Sequence, residues 1–149
     1  MNSEERNTWI ALVSSLIVNG YFASRIWTMF HDGTATAPEG LQIWARTMLW
    51  VVPAAIVVIV GLTVLAAVLQ AAITGEDRVI FLKDERDRQF EFFGMGATMF
   101  CVIFGFFGAM IGLALGLSGF TAFNLIYLSL FLGDVFGNLV KLGLYRSGA

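Results

Sequence analysis

Leu49–Ile73 reads LWVVPAAIVVIVGLTVLAAVLQAAI, twenty-five residues without a charge. About 20 apolar residues, rising 1.5 Å each, cross a hydrocarbon core roughly 30 Å thick. This stretch is therefore long enough to span a bilayer. A second charge-free stretch, Phe92–Gly133, is longer still and is interrupted by the small residues Gly116-Leu117-Ser118-Gly119. Such a break splits it into the main parts of two further spans.

The rest of the chain extends this pattern. A fourth apolar run lies near the beginning, with Trp9 and Trp27 near its ends, where indole rings suit the two headgroup layers. The expected spans are 8–30, 44–73, 90–115 and 120–142. The fold class follows: all-α, an integral membrane four-helix bundle in one membrane domain, 1–149. The composition agrees. Across 149 residues the chain is 58% hydrophobic and only 13% charged, too little polar surface for a soluble domain of this size.

Several function classes are disfavoured by composition. A net charge of −2 leaves no basic footprint for nucleic acid. The single Cys101 allows no intrachain disulfide, and the lone His31 excludes haem ligation by two histidines of one chain. No metal or other cofactor is expected. His31 and Ser118 do not suggest a hydrolytic dyad, because no orienting acid, oxyanion hole or G-x-S-x-G pattern accompanies them. The opening Asn2-Ser3-Glu4-Glu5-Arg6 is not the basic start of a signal peptide, so the first run is read as a retained span.

Boundaries come from turn chemistry. His31-Asp32-Gly33-Thr34-Ala35 ends the first span, and Thr36-Ala37-Pro38-Glu39 has the form of a capping box opening a new helix. Pro53 is expected to kink the second span near its start, and Gly75 to terminate it. Segment 76–89 is the one sizeable polar connection, within which Val79-Ile80-Phe81-Leu82 could dip into the interface. Arg6, Arg78, Lys83, Arg86, Arg88, Lys141 and Arg146 fall on one side of the bilayer, against Arg25 and Arg46 on the other. The positive-inside rule then places both termini and 76–89 in the cytoplasm. Glu4-Glu5-Arg6-Asn7 before span one and Asp84-Glu85-Arg86-Asp87 before span three hint at two parallel two-helix repeats. The same pattern also arises simply because acids and arginines gather at helix starts.

The candidate functional residues are on the fourth span. Asn124, Tyr127, Phe131, Asp134, Asn138, Lys141 and Tyr145 recur at alternating steps of three and four, the spacing of one helix face. Asp134 is the only charge between Phe120 and Val140, and insertion scales penalise a mid-span carboxylate by roughly 2.5–3.5 kcal/mol. It should be buried against protein or face water. Arg6, Arg86, Arg88 and Lys141 are its plausible partners, and burial without one would favour the protonated form. The seam Asn124, Tyr127, Asp134, Asn138 and Lys141 either lines a path or pocket, with Asp134 holding a proton or cation, or serves as interhelical glue, the preferred reading.

Two other patterns concern packing and charge. Ala97, Cys101, Gly105, Gly108, Gly112 and Gly116, with Ser129, Gly133 and Gly137, form small-residue seams. Such seams suit a tight hairpin of spans three and four, or a homodimer. Arg6, Asp84, Glu85, Arg86 and Asp87 form a cytoplasmic charge cluster. In it Asp84 and Asp87 cap span three and the acids pair with Arg6 or the neighbouring arginines, a reading preferred to a divalent-cation site.

Asp84-Glu85-Arg86-Asp87 ahead of the third of four spans resembles the signature of a family of small prokaryotic membrane proteins of unknown function. The resemblance covers the middle third of the chain. It implies an inner-membrane protein and carries over no catalytic residue. The expected role is non-enzymatic: an accessory or regulatory protein acting through helix contacts in the bilayer, its partners being lipid and either a second copy or another membrane protein. The alternative is a small dimeric transporter or channel using Asp134.

Overall fold

The computed structural model describes residues 3–74 and 85–147. Its helices are α1 (Ser3–His31), α2 (Gly40–Met48), α3 (Val51–Thr74), α4 (Glu85–Ala114) and α5 (Gly119–Ser147), with a 3-10 turn at Thr34–Thr36. Four segments are long and apolar enough to cross a membrane: α1, α2 continued by α3, α4 and α5. The protein is an all-α four-helix bundle of membrane-spanning type. Large apolar side chains such as Leu49, Ile73, Phe92 and Leu115 stand on its outer surface, as lipid rather than water would require.

The helices pack side by side in the order α3–α1–α5–α4. Each neighbouring pair is antiparallel. Arg6 near the start of α1 bonds Gln70 near the end of α3. Arg146 near the end of α5 lies 5.7 Å from the Trp9 ring on α1, while Phe30 meets Phe120 edge-on at the other end. Phe90 at the start of α4 likewise stacks on Tyr145 at 5.0 Å. The start of α1, the end of α3, the start of α4 and the end of α5 therefore share one end of the bundle, called here the terminal end.

The α4–α5 hairpin is the tightest pairing, and its turn explains why it closes where it does. Gly116 adopts φ +95°, and the Leu117 and Gly116 amides donate to the carbonyls of Gly112 (2.9 Å) and Leu113 (3.1 Å). This is a Schellman motif, and its left-handed position favours glycine. Ser118 then caps α5, its Oγ accepting from the Thr121 amide at 3.2 Å. Along the pair, backbones approach because side chains are missing. A methyl group on Gly137 would stand 2.6 Å from the Gly94 carbonyl oxygen and against the Thr98 hydroxyl, and one on Gly105 would overlap Ser129. Gly105, Gly133 and Gly137 of the small-residue seams thus serve the hairpin itself. Gly108 departs from that seam, with open space where a side chain would stand.

Two local expectations are corrected. Thr36 does not cap a helix: its hydroxyl donates to the Gly33 carbonyl at 3.0 Å, closing the 3-10 turn, and α2 starts at Gly40 after Glu39, which makes no side-chain cap. Asp32 shapes this turn by accepting from the Thr34 amide at 2.9 Å. Hydrogen bonds from the Thr34 side chain and backbone hold its carboxyl below the usual carboxylate range. Second, the interruption of span two near Pro53 is a full break and not a bend, and it falls at the Leu49 carbonyl, four residues before the proline. The helix breaks at Leu49–Trp50 and restarts at Val51, placing Pro53 in a first turn where its missing N–H leaves no bond unmade. Gly75 and segment 76–84, including Val79–Leu82, lie outside the described residues.

Candidate functional site: a carboxylate groove between α4 and α5

The polar residues of α5 divide among three neighbours instead of lining one path. Towards the end opposite the termini, Asn124 accepts from the Trp44 indole N–H of α2 at 2.9 Å and donates to the Phe120 carbonyl at 2.8 Å. One turn further, the Tyr127 hydroxyl donates to Asn19 Oδ1 on α1 at 2.7 Å, and Asn19 donates to the Ser15 carbonyl at 2.8 Å. These are interhelical bonds of the kind that contribute about 0.6 kcal/mol, at most about 1.7, in membrane bundles. For Asn124 and Tyr127 the glue reading describes the geometry.

Asp134 is arranged differently. It stands exposed at the mouth of a groove of about 310 Å³ between α4 and α5, shared with Glu91, Gly94, Met95, Thr98, Gly137, Asn138 and Lys141. The groove exists because two glycines form its floor. Thr98 fixes the helix spacing by offering one hydroxyl to the carbonyls of Gly133 on α5 (2.9 Å) and Gly94 on its own helix (3.1 Å). The Lys141 stem covers Gly94, where a methyl group would meet its Cγ at 2.6 Å.

Asn138 is the companion of Asp134. Only 4% exposed, it donates through Nδ2 to the Asp134 carbonyl (2.9 Å) and carboxylate (3.2 Å). Its own Oδ1 is buried with no hydrogen-bond partner among the described residues. Of the cations expected near Asp134, only Lys141 lines the same groove, and no ion pair joins the two among the described residues. The groove thus holds a carboxylate touched by one amide donor and a buried amide oxygen touched by none.

The charge cluster gathers at the terminal end. Asp87 is 4% exposed and lies against the Tyr145 hydroxyl. Arg86 stacks over Phe90 at 5.3 Å, so its contact is with an aromatic face. Arg6 reaches Gln70 and has a buried Nε without a partner among the described residues. Glu85 faces a separate cleft with Arg88, Gln89, Phe92 and Phe93, and Asp84 is outside the described residues. His31 and Ser118 are both occupied locally, His31 Nδ1 lying 3.0 Å from the Trp27 carbonyl oxygen. Among the described residues no group of three His, Cys, Asp or Glu could hold a metal ion.

Sequence reasoning passed over Asn19, Gln70, Gly94 and Thr98. Asn19 had a usable signal, being a polar amide in the middle of an apolar span. Gly94 and Thr98 are separated by one helical turn, but small and hydroxyl residues are common on such helices and do not by themselves reveal a groove.

The fold and groove together define a class: a membrane-spanning four-helix bundle with an outward-facing mid-helix carboxylate. Comparison with known proteins finds no family model, no curated protein and no solved structure that matches this chain.

Proposed function

We propose that this chain is a multi-pass inner-membrane protein, non-enzymatic, with both termini cytoplasmic. It acts as an accessory or regulatory protein through helix contacts in the bilayer, and the α4–α5 groove is its contact surface. The observation carrying this reading is the exposure of Asp134 near the middle of α5. The carboxylate is about 10 Å along the helix from Lys141, at 1.5 Å per residue. Against hydrocarbon it is disfavoured by roughly 2.5–3.5 kcal/mol. A helix bringing a hydrogen-bond donor to that depth would relieve this. The partner is another membrane protein or a second copy. Gly105, Gly133 and Gly137 are already occupied by the α4–α5 hairpin, so a homodimer is assigned to the groove instead.

The orientation rests on the charges of the terminal end. Arg6, Arg86, Arg88, Lys141 and Arg146 lie towards it, against Arg25 and Arg46 in the opposite half. Inner-membrane placement and prokaryotic origin follow the resemblance at Asp84–Asp87.

One observation favours a second reading, transport. The groove runs from Glu91 and Lys141 to Asp134, and a buried amide oxygen without a donor stands beside it. Asp134→Asn separates the two. On the contact reading it loses the assembled species in cross-linking of native membranes, while proton or cation flux in proteoliposomes is the same as for the parent chain. Intact assembly with loss of a flux that the parent supports would assign the carboxylate to transport.

A further inference from the structure

At the end of the bundle opposite the termini, two basic side chains from different helices meet in one cleft. Arg25 of α1 and Arg46 of α2 share a cavity of about 380 Å³ with Tyr21, Phe22, Ile43, Thr47 and Trp50. Their twenty-one-residue separation becomes proximity because the Gly33 turn folds α2 back beside α1. These are the two basic residues that the charge asymmetry leaves on this side of the bundle. Among the described residues neither makes a hydrogen bond or ion pair. Arg25 reaches Asp32 only as the weakest influence on that carboxyl.

The cleft is rich in donors and has no acidic side chain. Two guanidinium groups, the Tyr21 hydroxyl and the Trp50 indole N–H belong to lining residues, and no Asp or Glu lines it. Like charges in one cleft repel, the more so beside apolar surface where screening by water is weak. An anion accepting from both removes that repulsion and adds charge-assisted hydrogen bonds, for which the guanidinium fork suits phosphate. The cleft at the terminal end offers a contrast, because Glu85 stands there beside Arg88.

We infer that Arg25 and Arg46 form a binding site for a phosphate-bearing anion, and that its source is the headgroup of an anionic phospholipid. The level of the cleft favours lipid over a soluble phosphate. Arg25 is six residues, about 9 Å, before the end of α1. Trp27, Trp44 and Trp50 occupy the same end of the bundle, and indoles at a helix end mark the headgroup layer. Phe22 and Ile43 supply apolar wall for the start of an acyl chain. Arg46 stands in the last turn of α2, close to where that helix continues into α3.

The test uses the full chain purified in a neutral detergent and titrated with phosphatidylglycerol, phosphatidylcholine or inorganic phosphate, with bound lipid read by native mass spectrometry. The parent chain is expected to retain phosphatidylglycerol over phosphatidylcholine. The Arg25→Gln/Arg46→Gln double variant should bind it roughly tenfold or more weakly. Both side chains are exposed, so the double variant should keep the parent's helical circular dichroism, which checks folding directly. The Arg25→Lys/Arg46→Lys variant should recover part of the affinity, because charge remains while the planar fork is lost. Equal retention by the parent and the Gln variant overturns the site. Inorganic phosphate displacing the lipid at equal concentration overturns the lipid as its source.

Discussion

Replacing Gly137 with leucine is expected to part α4 from α5 and lower the melting temperature in detergent by about 6–12 °C. The expectation comes from the close approach at this position. The first added carbon would already stand 2.6 Å from the Gly94 carbonyl oxygen, which belongs to helix backbone and cannot rotate aside. Overpacking typically destabilises by 1–3 kcal/mol, and leucine adds three more carbons beyond that first clash, so about 3 kcal/mol is expected. At about 2–4 °C per kcal/mol for a chain of this size, the stated shift follows. Separation also breaks the Thr98–Gly133 hydrogen bond that ties the hairpin together. Gly143→Leu is the matched control, because nothing lies within 4 Å of a β-carbon placed there. Its melting temperature should stay at or slightly above that of the parent. Equal losses in both variants would mean that the hairpin does not rest on glycine contact.

Asp134→Leu should have an effect of comparable size but on a different quantity. Replacing the carboxylate with an apolar side chain is expected to favour membrane insertion of α5 by roughly 3–4 kcal/mol, measured in a translocon insertion assay. The melting temperature of the isolated chain should hardly change. The reason is that the side chain is exposed in the folded bundle and would be exposed after helix separation as well. Its bond from Asn138 is weak at 3.2 Å, and Asn138 keeps the backbone carbonyl of residue 134 as acceptor in the variant. Association with the partner should be lost. A fall of more than about 1 kcal/mol in the stability of the isolated chain would instead make Asp134 a structural group, with interhelical bonds of this class as the reference.

The spans were legible in the sequence because hydrocarbon imposes a length and an apolarity that few other environments demand. Leu49–Ile73 had no other reading. The hairpin was legible for a related reason, since Gly116 and Ser118 are turn and cap residues at the right spacing. Other features depended on competition that a linear sequence does not display. Thr36 looks like a cap, but the Gly33 carbonyl takes its hydroxyl first. Pro53 marks where span two is interrupted, but whether the chain bends or breaks there depends on its neighbours.

The α5 stripe shows the limit most clearly. Steps of three and four average 3.5 residues, while an α-helix turns every 3.6, so a straight helix drifts about 20° per heptad. Over the three heptads from Asn124 to Tyr145 the stripe winds through about 60°. It begins against α1 and α2, at Tyr127 and Asn124, and ends against α4, at Tyr145. Asp134 falls between them, where the stripe leaves one neighbour and reaches the groove edge of the next. Spacing alone assigned these residues to one face. Which helix that face meets at each level is a property of the assembled bundle.

The central claim, that protein covers the α4–α5 groove around Asp134 in the membrane, is tested most directly beside that residue. Met95 lines the groove and is 63% exposed, whereas Phe107 is 61% exposed on the same helix outside it. A benzophenone amino acid placed at either position, in cells that naturally make the chain, can be photoactivated in intact membranes. The account predicts a discrete protein adduct from position 95 and none from position 107. No protein adduct from position 95 would leave the groove facing lipid or water, and would contradict it.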